Sequence, residues 1–500
     1  MNQASRPARR CTRAARSASA RGHACYHPAA SRAASRSGSG RSSSVAAAQH
    51  GAALKPKWRV PGFCLLALVL GAAPGAGQEI RFQVAEQKLD NGLRILVVED
   101  HAVPAITCYT FFSVGSRNER PGRTGISHLF EHMMFNGARK YGRGEFDRQL
   151  ESRGGVSNAF TTEDVTGYSD TFPSDALELV LDMEADRMAA LQISEASLNA
   201  EREVVKEERR LRIDNDVQGA MFELLGATAY LAHPYGWPVV GWMSDLDAIT
   251  VDDCREYFRV HYAPNNATLI LAGDVRPEPA FDLVRRAFAG IPAQAPAPLV
   301  VKNEPPQKGE RRSVLRKAAQ VPALAMAFHV PPTSSEDEVY ALDLIETLLG
   351  TGDSSRLTRI LVRERQLASW VSAGNAYRVD PSLFLITAEA RPDVPIEDLE
   401  KALLVELERL GREPIDDAEL QKARNLRTMS LVRALKTSHG KAEQLGLYQT
   451  YFGSYTRLFE AAERYRSVDR EAIRQASRRA FRPDNRSVVT LVPAAEEGTP

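Results

Sequence analysis

From about residue 80 to 495 the chain carries one design twice. "VPAITCYTFFSVGSRNE" (103–119) is echoed by "VPALAMAFHVPPTSSED" (321–337), and "YAPNNATLILAGDV" (262–275) by "FRPDNRSVVTLVPA" (481–494). The offsets are 218 and 219 residues. Whatever the first half folds into, the second must be able to fold into as well. Each half opens on strand-like text rich in β-branched and aromatic residues, such as "LRILVVED" and "AITCYTFFSVGS". Helical text follows, with apolar residues three and four apart, as in "DALELVLDMEADRMAAL" (175–191) and "IEDLEKALLVELERLG" (396–411). Another strand-like run closes each half, "NATLILAG" and "RSVVTLVP". The pattern predicts an α+β chain of two homologous half-domains with many antiparallel strand neighbours. Their boundaries are drawn at 80–295 and 313–495, with a linker at 296–312 inside the Pro-, Gln- and charge-rich stretch 291–312.

Aligning the halves isolates one oddity. "HLFEHMMFNG" (128–137) falls on "DLIETLLGTG" (343–352): the apolar positions match, but His128 becomes Asp343 and His132 becomes Thr347, while Glu131 persists as Glu346. This helix can pack without histidines, so the histidines of the first half are extra to its packing. Residues i and i+4 share a helix face, with i+3 beside them. His128 and His132 can therefore offer two imidazole nitrogens to one ion, with Glu131 beside it to take a proton from water. A catalytic zinc needs a third protein ligand and an open position. A second acidic helix follows, "SEASLNAEREVVKEERRLR" (194–212), with Ser194 as N-cap and Glu195 in the first turn. Glu201 and Glu208, seven apart, share a face with Val204 and Val205, whereas Glu203 and Glu207 read as a solvated face.

His-x-x-Glu-His is the inverzincin order. From about 85 to 495 the sequence resembles the pitrilysin/insulinase family of zinc metallopeptidases, in the branch of the mitochondrial processing peptidase and its secreted bacterial relatives. The resemblance implies one Zn2+ per chain, held by His128, His132 and Glu208, with Glu207 the competitor for third ligand. It implies Glu131 as general base and Glu201 as the supporting acid. "GGVSNAFTTEDVTGYSDTFP" (154–173) resembles the family's edge strand, where Asn158 and Ala159 would hold the substrate main chain by β-augmentation. "HPYGWPVVGWMSDLDAIT" (233–250) also resembles the family; no chemistry is assigned to it, and His233 reads as a loop residue.

One family element is absent. An Arg and a Tyr seven apart should grip substrate carbonyls from the non-zinc half; "LVRERQLASW" (361–370) has Val362 and Ser369 there, with Arg363 and Trp370 one position away. The resemblance therefore implies the zinc-bearing subunit of a two-chain clamshell, with a homologous partner supplying the grip, or otherwise a homodimer. The expected function is a zinc metalloendopeptidase acting on peptides or small unfolded proteins. The rival readings are a non-catalytic scaffold subunit of the same family and a mitochondrial presequence-processing peptidase.

The first 77 residues stand outside the duplication. Lys+Arg (64) and Asp+Glu (63) nearly cancel over the chain, but no acid precedes Glu79, so the remainder is net acidic. That argues against nucleic acid as a partner. "KPKWRVPGFCLLALVLGAAPGAGQE" (55–79) has the basic start, short apolar core and small-residue end of a secretory signal peptide. It predicts export to the periplasm or beyond; a membrane anchor formed by the same segment and a mitochondrial matrix location are the alternatives. Residues 1–54 fit no signal peptide and read as a start assigned too early, or as a transit peptide. Past this region Cys108 and Cys254 remain, too few for a disulfide framework and expected to be buried singles.

Overall fold

The computed structural model of the chain describes residues 80–295 and 303–494. The N-terminal extension with its signal-like segment, and residues 296–302 of the linker, lie outside the described residues. Among the described residues eleven strands form two sheets. The first holds β1 (Ala85–Lys88), β2 (Arg94–Glu99), β3 (Ala105–Phe112), β4 (Val156–Thr161), β5 (Thr166–Pro173) and β6 (Ala267–Gly273). The second holds β7 (Arg311–Ala318), β8 (Ala323–Val330), β9 (Ala368–Asn375), β10 (Ser382–Ala390) and β11 (Arg486–Ala494). β7 begins two residues inside the stretch read as linker.

The sheet orders are β1-β2-β6-β3-β5-β4 and β7-β11-β8-β10-β9. Without β1 they are one topology repeated. β2 pairs with β6 in parallel, as β7 does with β11, and the other neighbours are antiparallel. The parallel pair arises because the closing strand returns only after the helices, a crossover long enough to bring it back in the same direction. The chain thus has the expected α+β class with an internal repeat.

Six helices carry the rest of the account: α1 (Ile126–Met133), α2 (Glu195–Arg209), α3 (Val217–Ala229), α4 (Glu336–Gly350), α5 (Asp417–Ala434) and α6 (Ser438–Tyr451). α3 and α6 are repeat equivalents, and each covers the other half's sheet. Met221, Leu225 and Ala229 of α3 pack on Ala323, Ala325 and Ala327 of β8 and on Val489 and Leu491 of β11. The alternating alanines of β8 leave room for a helix. α6 lies on β3 and β6 of the first sheet, where a Cβ on Gly446 would sit 2.1 Å from the Phe111 ring. Only glycine lets the helix approach that closely. The halves read from the sequence are therefore not the packing units, because each sheet is closed by the other half's helix. Cys108 and Cys254 are buried and free, as expected. Among the described residues no helix is long and apolar enough to cross a membrane.

Candidate metal centre

α1 is buried over its whole length. Leu129, Phe130 and Met133 face the core of the first half. Its N-terminus is seated by backbone contact: Gly125 (φ +88°) and Gly241 (φ +79°) lie so close that a Cβ on Gly241 would meet the Gly125 backbone at 2.5 Å. The "HPYGWPVVGW" stretch, given no chemistry above, thus supplies part of the helix seat. Glu119 caps the same end, accepting hydrogen bonds from the Gly125 N–H (2.9 Å) and the Ser127 N–H (2.8 Å). Burial pushes the Glu119 carboxyl up to about 8, although these bonds oppose the shift. Sequence reasoning passed Glu119 over, since its partners are main-chain groups with no side-chain signature.

The face of α1 opposite the core holds His128, Glu131 and His132, buried at 1%, 2% and 8% exposure. α2 packs across them. Ser194 caps α2, its hydroxyl accepting from the Ser197 N–H at 3.2 Å. Val205 is buried beside Glu201 and Glu208 on the face turned to α1, whereas Val204, read as sharing that face, is half exposed and lies at its rim. Glu208 Oε2 lies 3.6 Å from His128 Nε2 and 3.3 Å from His132 Nε2. One ligand atom from each of the three residues falls within 4.8 Å of the others. Glu207 instead points outward to Arg210 (2.9 Å), and Glu203 to Lys206 (3.3 Å). Glu201 reaches the other ring nitrogen, 3.7 Å from His132 Nδ1, and also meets Arg143 at 3.3 Å.

Imidazoles and carboxylates set one another's protonation here. Burial disfavours the charged His132 ring, but hydrogen bonds to Glu201 and Glu208 outweigh it and bring the ring to about 9. Burial likewise opposes ionised Glu208, and His132, His128 and Arg212 bring it to about 2. Glu201 is also lowered: burial raises it, and the bonds from His132 and Asn136 prevail. Glu131 goes the other way, raised by burial against the opposing hydrogen bond from Thr161. Thr161 Oγ1 donates to Glu131 Oε2 at 2.7 Å. Two imidazoles and a carboxylate on converging helices suit zinc better than the all-oxygen shells of calcium or magnesium.

Thr161 ends β4, an edge strand of the first sheet, paired on one side with β5. Asn158 and Ala159 lie on the same strand, Asn158 exposed and Ala159 buried. At the two positions where the grip was sought, Val362 packs, partly buried, against the core that holds Leu357 and Leu361, and Ser369 donates to Glu389 at 2.7 Å. Arg363 is engaged with Asp353 at 2.6 Å on the surface. His233 lies outside the metal cluster, in a loop just before the turn Pro234–Gly236, as read from the sequence. It is buried, accepting from the Tyr235 N–H and facing Asp380 at 3.1 Å.

The second half holds the same constellation with its charges inverted. On α4, Asp343 and Glu346 stand where His128 and Glu131 stand on α1. On α5, Arg427 falls 219 residues after Glu208. Arg427 lies 3.2 Å from Asp343 Oδ1 and 3.3 Å from Glu346 Oε1. Asn375, at the end of β9, gives its N–H to Glu346 Oε2 at 3.1 Å, as Thr161 serves Glu131. Two carboxylates around a guanidinium thus replace two imidazoles and a carboxylate. Sequence reasoning missed Arg427 although the repeat offset pointed to it.

Residues 94–241 match the family described as Insulinase (Peptidase family M16), and residues 248–427 match the Peptidase M16 inactive domain. The chain belongs to peptidase family M16. The zinc protease PqqE of Helicobacter pylori is 34% identical over 73% of this chain and 82% of its own length. The probable mitochondrial-processing peptidase subunit beta of Arabidopsis thaliana is 26% identical over 78% of this chain and 74% of its own. Among solved structures, a protease from Helicobacter pylori superposes with a TM-score of 0.80 at 30% identity, covering 83% of this M16 chain and 100% of that one. The periplasmic protease PqqL of Escherichia coli shares the fold (TM-score 0.69, 20% identity), 83% of this chain matching 48% of that one. The inverted charges of the second half fit the inactive-domain match.

Proposed function

We propose that this M16 chain is a zinc-dependent endopeptidase that cleaves peptides or small unfolded proteins. The observation that carries the reading is the convergence of His128, His132 and Glu208 beside a buried carboxylate, Glu131. Those three side chains would hold the zinc. When bound, zinc supplies a Lewis acid that polarises a peptide carbonyl and acidifies water. Glu131 takes the proton of the attacking water on a carboxylate oxygen and later gives it to the leaving amide nitrogen. Burial raises its pKa towards the range in which one group can serve as base and then acid. Glu201 orients His132 through Nδ1, leaving Nε2 for the metal. The edge strand β4, at Asn158 and Ala159, binds the substrate main chain as an added strand.

A partner completes the enzyme. The missing Arg/Tyr pair supports a homologous second chain that supplies the grip, with a homodimer as the other arrangement. The match to about half the length of PqqL supports a functional unit of twice this size. Export to the periplasm is the matching location, supported by the signal-like text at 55–79 and by PqqL, described as periplasmic.

The test is hydrolysis of a mixed fluorogenic peptide library by the zinc-loaded chain from Gln78 onward, against Glu131→Gln. Cleavage by the parent, lost in the variant, supports a self-sufficient peptidase. Zinc bound without cleavage points to the missing partner. A chain that binds no zinc defeats the reading and leaves the scaffold role.

A further inference from the structure

The inactive half makes contacts whose targets are not spread evenly over the first half. Several converge on the four-residue turn between β4 and β5. Arg378 pairs with Glu163 at 2.5 Å. The Val379 N–H donates to Asp164 Oδ2 at 3.1 Å. Tyr451, the last residue of α6, places its hydroxyl 3.2 Å from Thr162 Oγ1. The first half adds Arg117 Nε at 2.9 Å and the Tyr235 hydroxyl at 2.7 Å, both to Asp164 Oδ1. Tyr235 in turn accepts from the Asp380 N–H at 3.1 Å. Asp164 is 1% exposed, so this is a buried, fully engaged carboxylate rather than a surface ion pair.

The residue immediately before the gripped turn is Thr161, whose hydroxyl donates to Glu131. A two-residue shift of register or a tilt of the turn would carry Thr161 away from the carboxylate. Resting on Glu131 as general base, we propose that the inactive half positions that base. Arg378, the Val379 amide and Tyr451 clamp the β4–β5 turn, and the clamp holds Thr161 against Glu131. These are positioning residues; none touches substrate or metal. The reading gives the second half a task in the chemistry beyond packing. It also ties that task to the interleaving of the halves, because Tyr451 sits on the helix that crosses to the first sheet.

The test compares Arg378→Met and the milder Tyr451→Phe with a control that cuts a different contact between the halves. Lys441→Met removes the 2.5 Å pair with Asp100 and leaves the turn alone. Displacing a reacting group by about 1 Å can cost about a hundredfold in rate. A loosened hydrogen bond to the base should cost less: kcat falls about tenfold in Arg378→Met and about threefold in Tyr451→Phe, with KM within about twofold. In a Thr161→Val background neither change lowers kcat further, since the three act in one line. Lys441→Met lowers Tm and leaves kcat alone. A second readout needs no turnover: the visible d–d spectrum of the Co2+-loaded protein. Arg378→Met and Tyr451→Phe should move it in the direction of Thr161→Val, and Lys441→Met should not.

Spectra and kcat that match the parent in both clamp variants, whatever happens to Tm, would overturn the clamp. So would losses that add in full to that of Thr161→Val. Failure of the underlying reading looks different. A parent that takes up no Co2+, or whose spectrum and turnover survive Glu131→Gln unchanged, removes the base itself and the clamp's purpose with it.

Discussion

Arg427→Met removes the guanidinium that faces Asp343 and Glu346 in the second half. Stripping a buried carboxylate of its partner costs about 3–5 kcal/mol. Asp343 is 0% exposed, so the full penalty is in play. Two features set the value at the low end. Arg427 keeps 22% side-chain exposure, and the Tyr377 and Tyr465 hydroxyls still donate to Asp343 Oδ2 at 2.5 and 2.6 Å. The expected loss is about 3 kcal/mol. Arg412→Met is the comparison: its pair with Glu408 is 71% and 55% exposed, and such pairs contribute less than about 1 kcal/mol. Urea unfolding at equal m-value reads both. One transition is expected, since each sheet is covered by the other half's helix. The pH dependence has a definite sign. Burial raises the Glu346 pKa although Arg427 opposes it, and removing Arg427 raises it further. A carboxyl whose folded pKa lies above its unfolded value favours folding while protonated and loses that advantage as pH rises. The deficit of Arg427→Met is therefore larger at about pH 8 than at about pH 5. A loss below about 1 kcal/mol, matching Arg412→Met, would refute the claim that the guanidinium is this site's resident cation.

Glu208→Gln should weaken zinc binding by more than about a hundredfold, beyond what groups behind the ligands contribute, while Glu207→Gln leaves it unchanged; a chelator-dye competition measures both. With His132 brought to about 9, zinc must displace a proton from it, whereas Glu208 at about 2 is already ionised. Apparent zinc affinity should thus still climb about tenfold per pH unit between about pH 7 and pH 9, and a flat profile there would contradict the ring's assignment. Gly446→Val should destabilise the chain by about 3 kcal/mol or more, because the new side chain meets the Phe111 ring and lifts α6 from the first sheet.

Much of the site was legible because it is local. His128, Glu131 and His132 sit within two helical turns, and the second half supplied a control by keeping the apolar frame without the histidines. Glu201 and Glu208 shared a helix face, and the seven-residue spacing placed both towards α1. What stayed hidden is tertiary. A helical period says that one face of α3 is buried, but not that it lies on the other half's sheet. The β4–β5 turn is held by residues more than 200 positions away, which leaves no pattern in sequence. Val204 was grouped with Val205, but it sits one step round the helix, at the rim of the face turned to α1, and is half exposed. Arg427 lay within reach of the repeat: the 219-residue offset of the closing strands, applied to α2, sets a guanidinium opposite Glu208.

The most direct measurement of the central claim is anomalous diffraction at the zinc absorption edge from crystals of the zinc-loaded protein. The account predicts one peak per chain, within about 2.0–2.2 Å of His128, His132 and Glu208 donor atoms, and none beside Asp343, Glu346 and Arg427. A peak bounded by Glu207 or lying in the second half, or the absence of any peak from zinc-loaded crystals, would contradict it.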